Sequence, residues 1–212
     1  MRKRGQGARV VAGLAGLVVV LAAVAAGAAQ PALERYQILP EASEARYRVG
    51  ETFLGEGRFN VAVGRTRDVR GVILVDRQRP ARSRVGPIVV DLSTLQSDSA
   101  RRDNAIRQRW LESTRFPEAR FVSTEVRGAP SRYRDGQPVE LEVVGDLTVR
   151  GVTRRVVWKA TVRLAGPELL AQAATSVRMT DFGFQPPSIL GFVRAEDDVT
   201  LELDLVARRE SP

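Results

Sequence analysis

An antiparallel all-β domain, a sandwich or a barrel, is the fold this chain predicts, and three observations predict it. Apolar and polar residues alternate with period two in run after run between Tyr36 and Leu205, the mark of strands with one buried face. Short turn signals separate those runs, among them Asp135-Gly136, Arg150-Gly151 and Gly166-Pro167. Only one stretch, Ser97 to Ser123, carries helical spacing. Roughly eight to ten strands without alternating helices do not make a parallel βα architecture. With 212 residues and 43% hydrophobic content, one β domain plus an N-terminal extension is expected.

The extension comes first. Residues 1–9 are basic, and residues 10–29, VVAGLAGLVVVLAAVAAGAA, carry no charge. A cationic flank before an apolar run is an export signal. A cleaved signal has an apolar region of ~7–15 residues, and a spanning helix wants roughly 20. Residues 1–29 are therefore expected to be a signal peptide or an N-terminal hydrophobic helix that anchors the chain in a membrane. Ala26-Gly27-Ala28 suits cleavage before Ala29. Either way residues 30–212, the β domain, are expected outside the cytoplasm, periplasmic or otherwise extracytoplasmic, because the basic flank stays inside.

After a short linker, Tyr36 to Leu39 opens the extended part and Pro40 breaks it. Ala45, Tyr47 and Val49 alternate with Glu44, Arg46 and Arg48 as a half-buried strand. Gly50 to Gly57 reads as a turn region containing Phe53 and Leu54, and Phe59, Val61 and Val63 then alternate with Arg58, Asn60 and Ala62. Val69 to Asp76 is a further strand, Arg77 to Arg84 a polar connection, and Pro87 to Leu92 the next apolar run.

The helical stretch follows. Asp98 or Ser99 can cap its start. Asp103 and Arg107 are four apart, as are Ile106 and Trp110, so each pair shares one face of a turn. Pro117 holds Phe116 extended and ends any helix. Phe121 and Ser123 begin a returning strand. One short helical crossover thus interrupts the sheet and carries Trp110, Leu111 and Phe116 to its rim, as a lid over a barrel mouth or as ordinary packing.

Past the turn at Asp135-Gly136, Val139, Leu141 and Val143 alternate with glutamates. Leu147-Val149 and Val156-Leu164 flank Arg150-Gly151, which fits a tight hairpin. Leu169 to Met179 is a weaker strand, and DFGFQPPSILGF (181–192) is too rich in Phe, Gly and Pro to be regular. Val199, Leu201, Leu203 and Leu205 then alternate cleanly with Thr200, Glu202 and Asp204.

Composition narrows the chemistry. The chain has no cysteine and no histidine. Disulfides, thiolate nucleophiles, cysteine-zinc sites and the Ser-His-Asp triad are all excluded. The net charge is +8, which invites a nucleic-acid reading. Setting aside Arg2, Lys3, Arg4 and Arg9 in the extension leaves 29 basic against 25 acidic residues, or +4. The remaining arginines are spread along the chain and are not clustered with aromatics, so no nucleic-acid partner is expected.

Several motifs resemble a known family. Arg102-Asp103-Asn104, Trp110-Leu111-Glu112-Ser113, Arg115-Phe116-Pro117, Phe121 and Ser123 are similar to the central signature of the YceI-like family. Gly145 to Thr153 resembles its G-x-L-T-x-x-G-V-T hairpin; Asp181-Phe182-Gly183 and the acidic final strand after Asp197-Asp198 also match. The resemblance covers about residues 34 to 207 and implies a lipocalin-like antiparallel β-barrel of about eight strands. It further implies a long isoprenoid or other amphiphilic chain in an elongated apolar cavity, for carriage or storage, with no enzymatic activity, cofactor or metal. Asn104 and Ala105 stand where many members have other residues, often a histidine, so head-group preference can differ here.

On that reading the candidate lining is one parity of the best strands: Val199, Leu201, Leu203 and Leu205, with Val156, Trp158, Phe59 and Val61. The alternative is that these residues only fill a core. The candidate rim is Trp110, Leu111 and Phe116 from the crossover and Phe182, Phe184, Ile189 and Phe192 from the irregular loop, facing ligand or membrane. Asp103 and Arg107 are head-group candidates, or else an exposed helix pair worth ~0.3–0.5 kcal/mol. Expected partners are a lipid-like small molecule, a membrane surface or anchor, and a second copy of the chain. Two other classes compete: a carboxylate-based enzyme at the barrel mouth, which needs acids converging inside, and a ligand-free structural module, which needs a filled interior.

Overall fold

The computed structural model describes residues 33–189 and 192–211, with Ile189 described by its backbone only. The expected export segment, residues 1–29, and the Ile189 side chain lie outside that description. Among the described residues no helix is long and apolar enough to cross a membrane.

The alternating runs become strands β1 (Glu34–Ile38), β2 (Glu44–Phe53), β3 (Arg58–Thr66), β4 (Val69–Val75), β5 (Arg84–Asp91) and β6 (Glu118–Arg127). They continue as β7 (Pro138–Val149), β8 (Val152–Ala165), β9 (Glu168–Arg178), the two-residue β10 (Ser188–Ile189) and β11 (Val193–Arg209). Eight staves close a barrel in the order β1-β4-β5-β6-β7-β8-β9-β11, and β11 returns to β1 through the Ile38–Ala207 and Tyr36–Arg209 pairs. Every pairing is antiparallel. Closure leaves the ring without the free edges that invite aggregation.

β2 and β3 prolong the wall at one end, hereafter the upper end. β2 pairs with the first part of β11, and β3 with β2. The free flank of β3 meets the crossover, where Arg65 and Gln96 exchange backbone hydrogen bonds of 2.8 and 2.9 Å. The crossover holds the single α-helix among the described residues, α1 (Ala100–Ala105), continued by one π turn over Ile106–Trp110. Ser99, not Asp98, caps it, its hydroxyl accepting from the Arg102 N–H at 3.3 Å.

Most of the expected parities hold. On β8, Val156, Trp158, Ala160 and Leu164 are buried; on β11, Val199, Leu203 and Leu205 are, with Leu201 half-buried. β3 departs from expectation. Its inward positions are Ala62, Gly64 and Thr66, while Phe59 and Val61 face outward, 57% and 39% exposed. Neither lines the interior, which corrects the expectation. The reason lies across the ladder: Tyr47 is the direct partner of Gly64, and a Cβ on Gly64 would stand 2.1 Å from the Tyr47 ring. Tyr47 fills the space that a large β3 residue would otherwise occupy.

Two turns explain themselves. At the β7–β8 hairpin both central residues have positive φ, Arg150 at 50° and Gly151 at 76°, as the preferred two-residue hairpin turn requires. β11 begins six residues before the clean alternation, and a register shift between Ala195 and Val199 takes Glu196–Asp198 out of the ladder with β2. Asp197 uses that freedom to accept from the Thr180 N–H (2.9 Å) and hydroxyl (2.6 Å). Those bonds, the hydroxyl's foremost, hold its carboxyl below the ordinary value of 3.8. A depressed carboxylate stabilises the fold above its unfolded value, and the gain is lost as pH falls through the lower native value. Thr180→Val is expected to raise the Asp197 midpoint, read by NMR titration of its carboxyl carbon; an unmoved midpoint would refute the assignment.

A buried tyrosine anchors β1 to the β4–β5 connection. Tyr36 is fully buried, donates to Glu34 (2.8 Å) and accepts from Arg77 (3.0 Å), which also donates to Glu34 at 2.8 Å. Burial alone would raise the Glu34 carboxyl, but these hydrogen bonds outweigh it and hold it low.

Candidate functional site

Inward-facing side chains do not fill the barrel. Two hollows remain, with volumes of about 70 Å³ and 90 Å³ open to the centre of a water molecule. A water needs roughly 10–15 Å³ on that scale, so each chamber takes about five or six water-sized groups.

The lower chamber is walled by Val75, Val85, Leu141, Leu164, Leu169 and Leu205, with Tyr133 and Ser83 at its lower end. The upper chamber lies between Tyr47, Leu147 and Leu201 on the barrel and Leu92 and Leu95 of the crossover. Ile88, Phe121, Trp158 and Leu203 touch both. Phe121 and Trp158 meet edge to face, ring centroids 6.0 Å apart, and form a waist between the chambers. Gly145 makes that waist possible, since a Cβ there would stand 2.6 Å from the Phe121 ring.

Charge is kept out of both. Arg46 and Glu202 border the upper chamber but turn their charges to each other, Nε to Oε2 at 3.0 Å. Over the upper end, Arg102 donates to both oxygens of Glu51, Nε to Oε1 at 3.2 Å and Nη2 to Oε2 at 3.1 Å. The pair is largely buried, side chains 19% and 12% exposed, and it fastens the crossover to β2. Arg150 bonds Glu112 and fastens the crossover to the β7–β8 hairpin. Both residues sit at φ 50°. Among the described residues no group of three or more acids, histidines or cysteines could hold a metal ion.

The candidates named from sequence divide accordingly. Trp158 and Leu203 wall both chambers, Leu201 the upper and Leu205 the lower. Val156 and Phe182 are buried in the surrounding core. Val199 belongs to a separate buried cluster with Val49, Ala62, Met179 and Ala195. Trp110 and Leu111 are half-buried. Phe116 is too, lying 3.6 Å from where a Cβ on Gly151 would stand. Phe184 is half-buried under the Arg150 guanidinium, 5.3 Å from the ring centre. Phe192 is 65% exposed beside Leu54, whose N–H donates to the Phe192 carbonyl. These rim residues do not converge on one opening.

Asp103 and Arg107 do not pair. The buried Asp103 accepts from the Ser97 N–H (2.9 Å) and hydroxyl (2.6 Å), and Arg107 donates to the Leu95 carbonyl and the Asn104 side chain. Both hold the crossover's shape. Sequence reasoning passed over Tyr47, Phe121 and Ile88 as lining residues. Tyr47 stood in a recognised alternation, but its length, opposite a glycine, was the missed signal.

The model of the YceI-like domain matches residues 36–207. A UPF0312 protein of Pseudomonas putida is 32% identical over 151 residues, 67% of this chain and 70% of its own length. The YceI protein of Shigella flexneri is 27% identical over 153 residues, 69% of this chain and 74% of its own. Among solved structures, Burkholderia cenocepacia BcnA superposes with a TM-score of 0.63 at 17% identity, covering 80% of this chain and 98% of its own. A polyisoprenoid-binding domain of Saccharophagus degradans gives 0.62 at 13%, covering 84% and 99%. At such identities the structures share the fold.

Proposed function

This chain belongs to the YceI-like domain family, and from that premise we propose that it holds a long lipid-like chain, isoprenoid or other amphiphile, in the hollow of its barrel, for carriage or storage outside the cytoplasm. The observation that carries the reading is the pair of apolar chambers inside the barrel, which share Ile88, Phe121, Trp158 and Leu203 in their walls. The likeness to a domain that itself binds polyisoprenoids adds support.

Energetics fit a carrier. Hydrocarbon leaving water gains ~0.8 kcal/mol per CH₂, so roughly ten buried carbons supply micromolar affinity. A chain leaving a bilayer gains almost nothing, so loading and release both stay accessible. Such a role needs a lined cavity and a way in, and we assign no catalytic residue. Glu202, which borders the upper chamber, and Glu51 and Asp103 above it are engaged by Arg46, Arg102 and Ser97.

Membrane contact fits one place on the surface. Leu54, Phe59 and Phe192 are 52%, 57% and 65% exposed and cluster at the tip of the β2–β3 hairpin. Export rests on residues 1–29. The test is organic extraction of the purified protein followed by mass spectrometry. A long-chain lipid in the extract is expected; a protein that carries none and takes up no added polyprenol would end the proposal.

A further inference from the structure

We propose that the upper chamber seats an uncharged hydrogen-bond acceptor of the ligand, an oxygen such as a carbonyl, and that Tyr47 and Trp158 are the groups that recognise it. The inference rests on the lipid-holding reading and deepens it: the ligand is an oxygen-bearing lipid with a defined orientation, polar group above and tail below.

Unpaired buried polar atoms are rare in folded proteins and each asks for a reason. Among the described residues three side-chain atoms are buried without a partner: Tyr47 Oη, Trp158 Nε1 and Arg150 Nε. Two of the three belong to side chains that wall the same upper chamber. Trp158 is 4% exposed, and its neighbours along the chamber, Ile88, Phe121, Leu147 and Leu203, have no side-chain acceptor to offer it. Trp158 is also half of the waist. Parting the waist to admit a chain uncovers the indole N–H against the ligand, and a pure hydrocarbon would leave it unpaired.

The acceptor is uncharged because the cations bordering the chamber and its roof, Arg46 and Arg102, are already engaged by carboxylates. The Tyr47 hydroxyl lies within the field of Glu51, Asp98 and Asp103, opposed by one guanidinium, that of Arg102. That guanidinium is already bonded to Glu51 and to Asp98. A buried anionic head group would find no unpaired cation among the charged residues bordering the chamber, since Arg46 is bonded to Glu202. Burial meanwhile pushes the Tyr47 phenol up, so its hydroxyl stays a donor at any physiological pH.

Three probes of matched length test this: 2-heptadecanone, n-heptadecane and heptadecanoate, each competing against bound diphenylhexatriene. The ketone is expected to bind about tenfold tighter than the alkane, the worth of one to two net hydrogen bonds, and tighter than the carboxylate. In the Tyr47→Phe/Trp158→Phe double variant the ratio of ketone to alkane affinity is expected to fall to about twofold or less, whatever happens to either affinity alone, and a wild-type circular dichroism spectrum shows that the barrel is folded. In the ¹⁵N spectrum the Trp158 indole N–H, assigned against Trp158→Phe, is expected to move downfield with the ketone and not with the alkane. Equal binding of ketone and alkane, an advantage that survives in the double variant, or a preference for the carboxylate would each overturn the inference and leave lipid holding intact. A wild-type barrel that takes up neither the dye nor any probe would overturn the lipid reading and this inference together.

Discussion

Leu203→Arg is expected to leave the purified protein almost free of co-extracted lipid, while Arg107→Ala keeps the wild-type content. Leu203 is 7% exposed and touches both chambers, so no smaller part of the hollow escapes a guanidinium placed there. The one carboxylate bordering the hollow, Glu202, is already bonded to Arg46, and an unpaired buried charge costs about 3–5 kcal/mol. Arg107 sits on the crossover, bonded to Leu95 and Asn104, and borders neither chamber. The charged variant carries a risk of unfolding, so Ala160→Leu serves beside it. Ala160 walls the lower chamber at 7% exposure; the added isobutyl group occupies that chamber at a cost of about 1–3 kcal/mol at most. Mass spectrometry of extracts from all three variants decides the matter. Lipid content equal to wild type in a folded Ala160→Leu would show that the lower chamber is not where the chain lies.

Gly145→Ala is expected to destabilise the barrel by about 1–3 kcal/mol through overpacking, while Gly55→Ala stays within about 0.5 kcal/mol, as surface changes do. A Cβ on Gly145 would stand 2.3 Å from the Val122 carbonyl oxygen and 2.6 Å from the Phe121 ring. The carbonyl belongs to the β6–β7 ladder, where Ser123 pairs with Gly145, so it yields only if the ladder opens. Phe121 packs edge to face on Trp158, so a shift of its ring that relieves the clash disturbs the waist. At Gly55 nothing lies within 4 Å of the new carbon. Urea midpoints of the two variants give the comparison, and lipid content is expected to fall in Gly145→Ala alone. Equal midpoints would mean that the close approach at Gly145 carries no constraint.

Much of this architecture was legible beforehand. The alternation on β8 and β11 marked Trp158, Leu203 and Leu205 as inward, because a strand buried on one face repeats every second residue. The tight turn at Arg150-Gly151 was legible because a two-residue hairpin asks for positive φ, which glycine supplies freely. The Asp103–Arg107 pairing was the natural expectation from a spacing of four on a helix. It lost to a competing local bond: Ser97 lies close enough along the chain to satisfy the Asp103 carboxylate first. Phe182 was placed at the rim for a related reason. Aromatic density in an irregular loop signals burial against something, and for Phe182 that something is the barrel's own core.

Sequence alone determined the all-β class, the antiparallel character of the pairing, the family and which strands carry one apolar face, because each is written in local periodicity, turn chemistry or motif. Tertiary structure decided which face of β3 turns inward and where the hollow narrows. Both are settled by side-chain volume competing across neighbouring strands: Tyr47 lies over Gly64, and Phe121 lies over Gly145 beside Trp158. Alternation records that a strand has two faces, and only the partners across the ladder determine which of them has room.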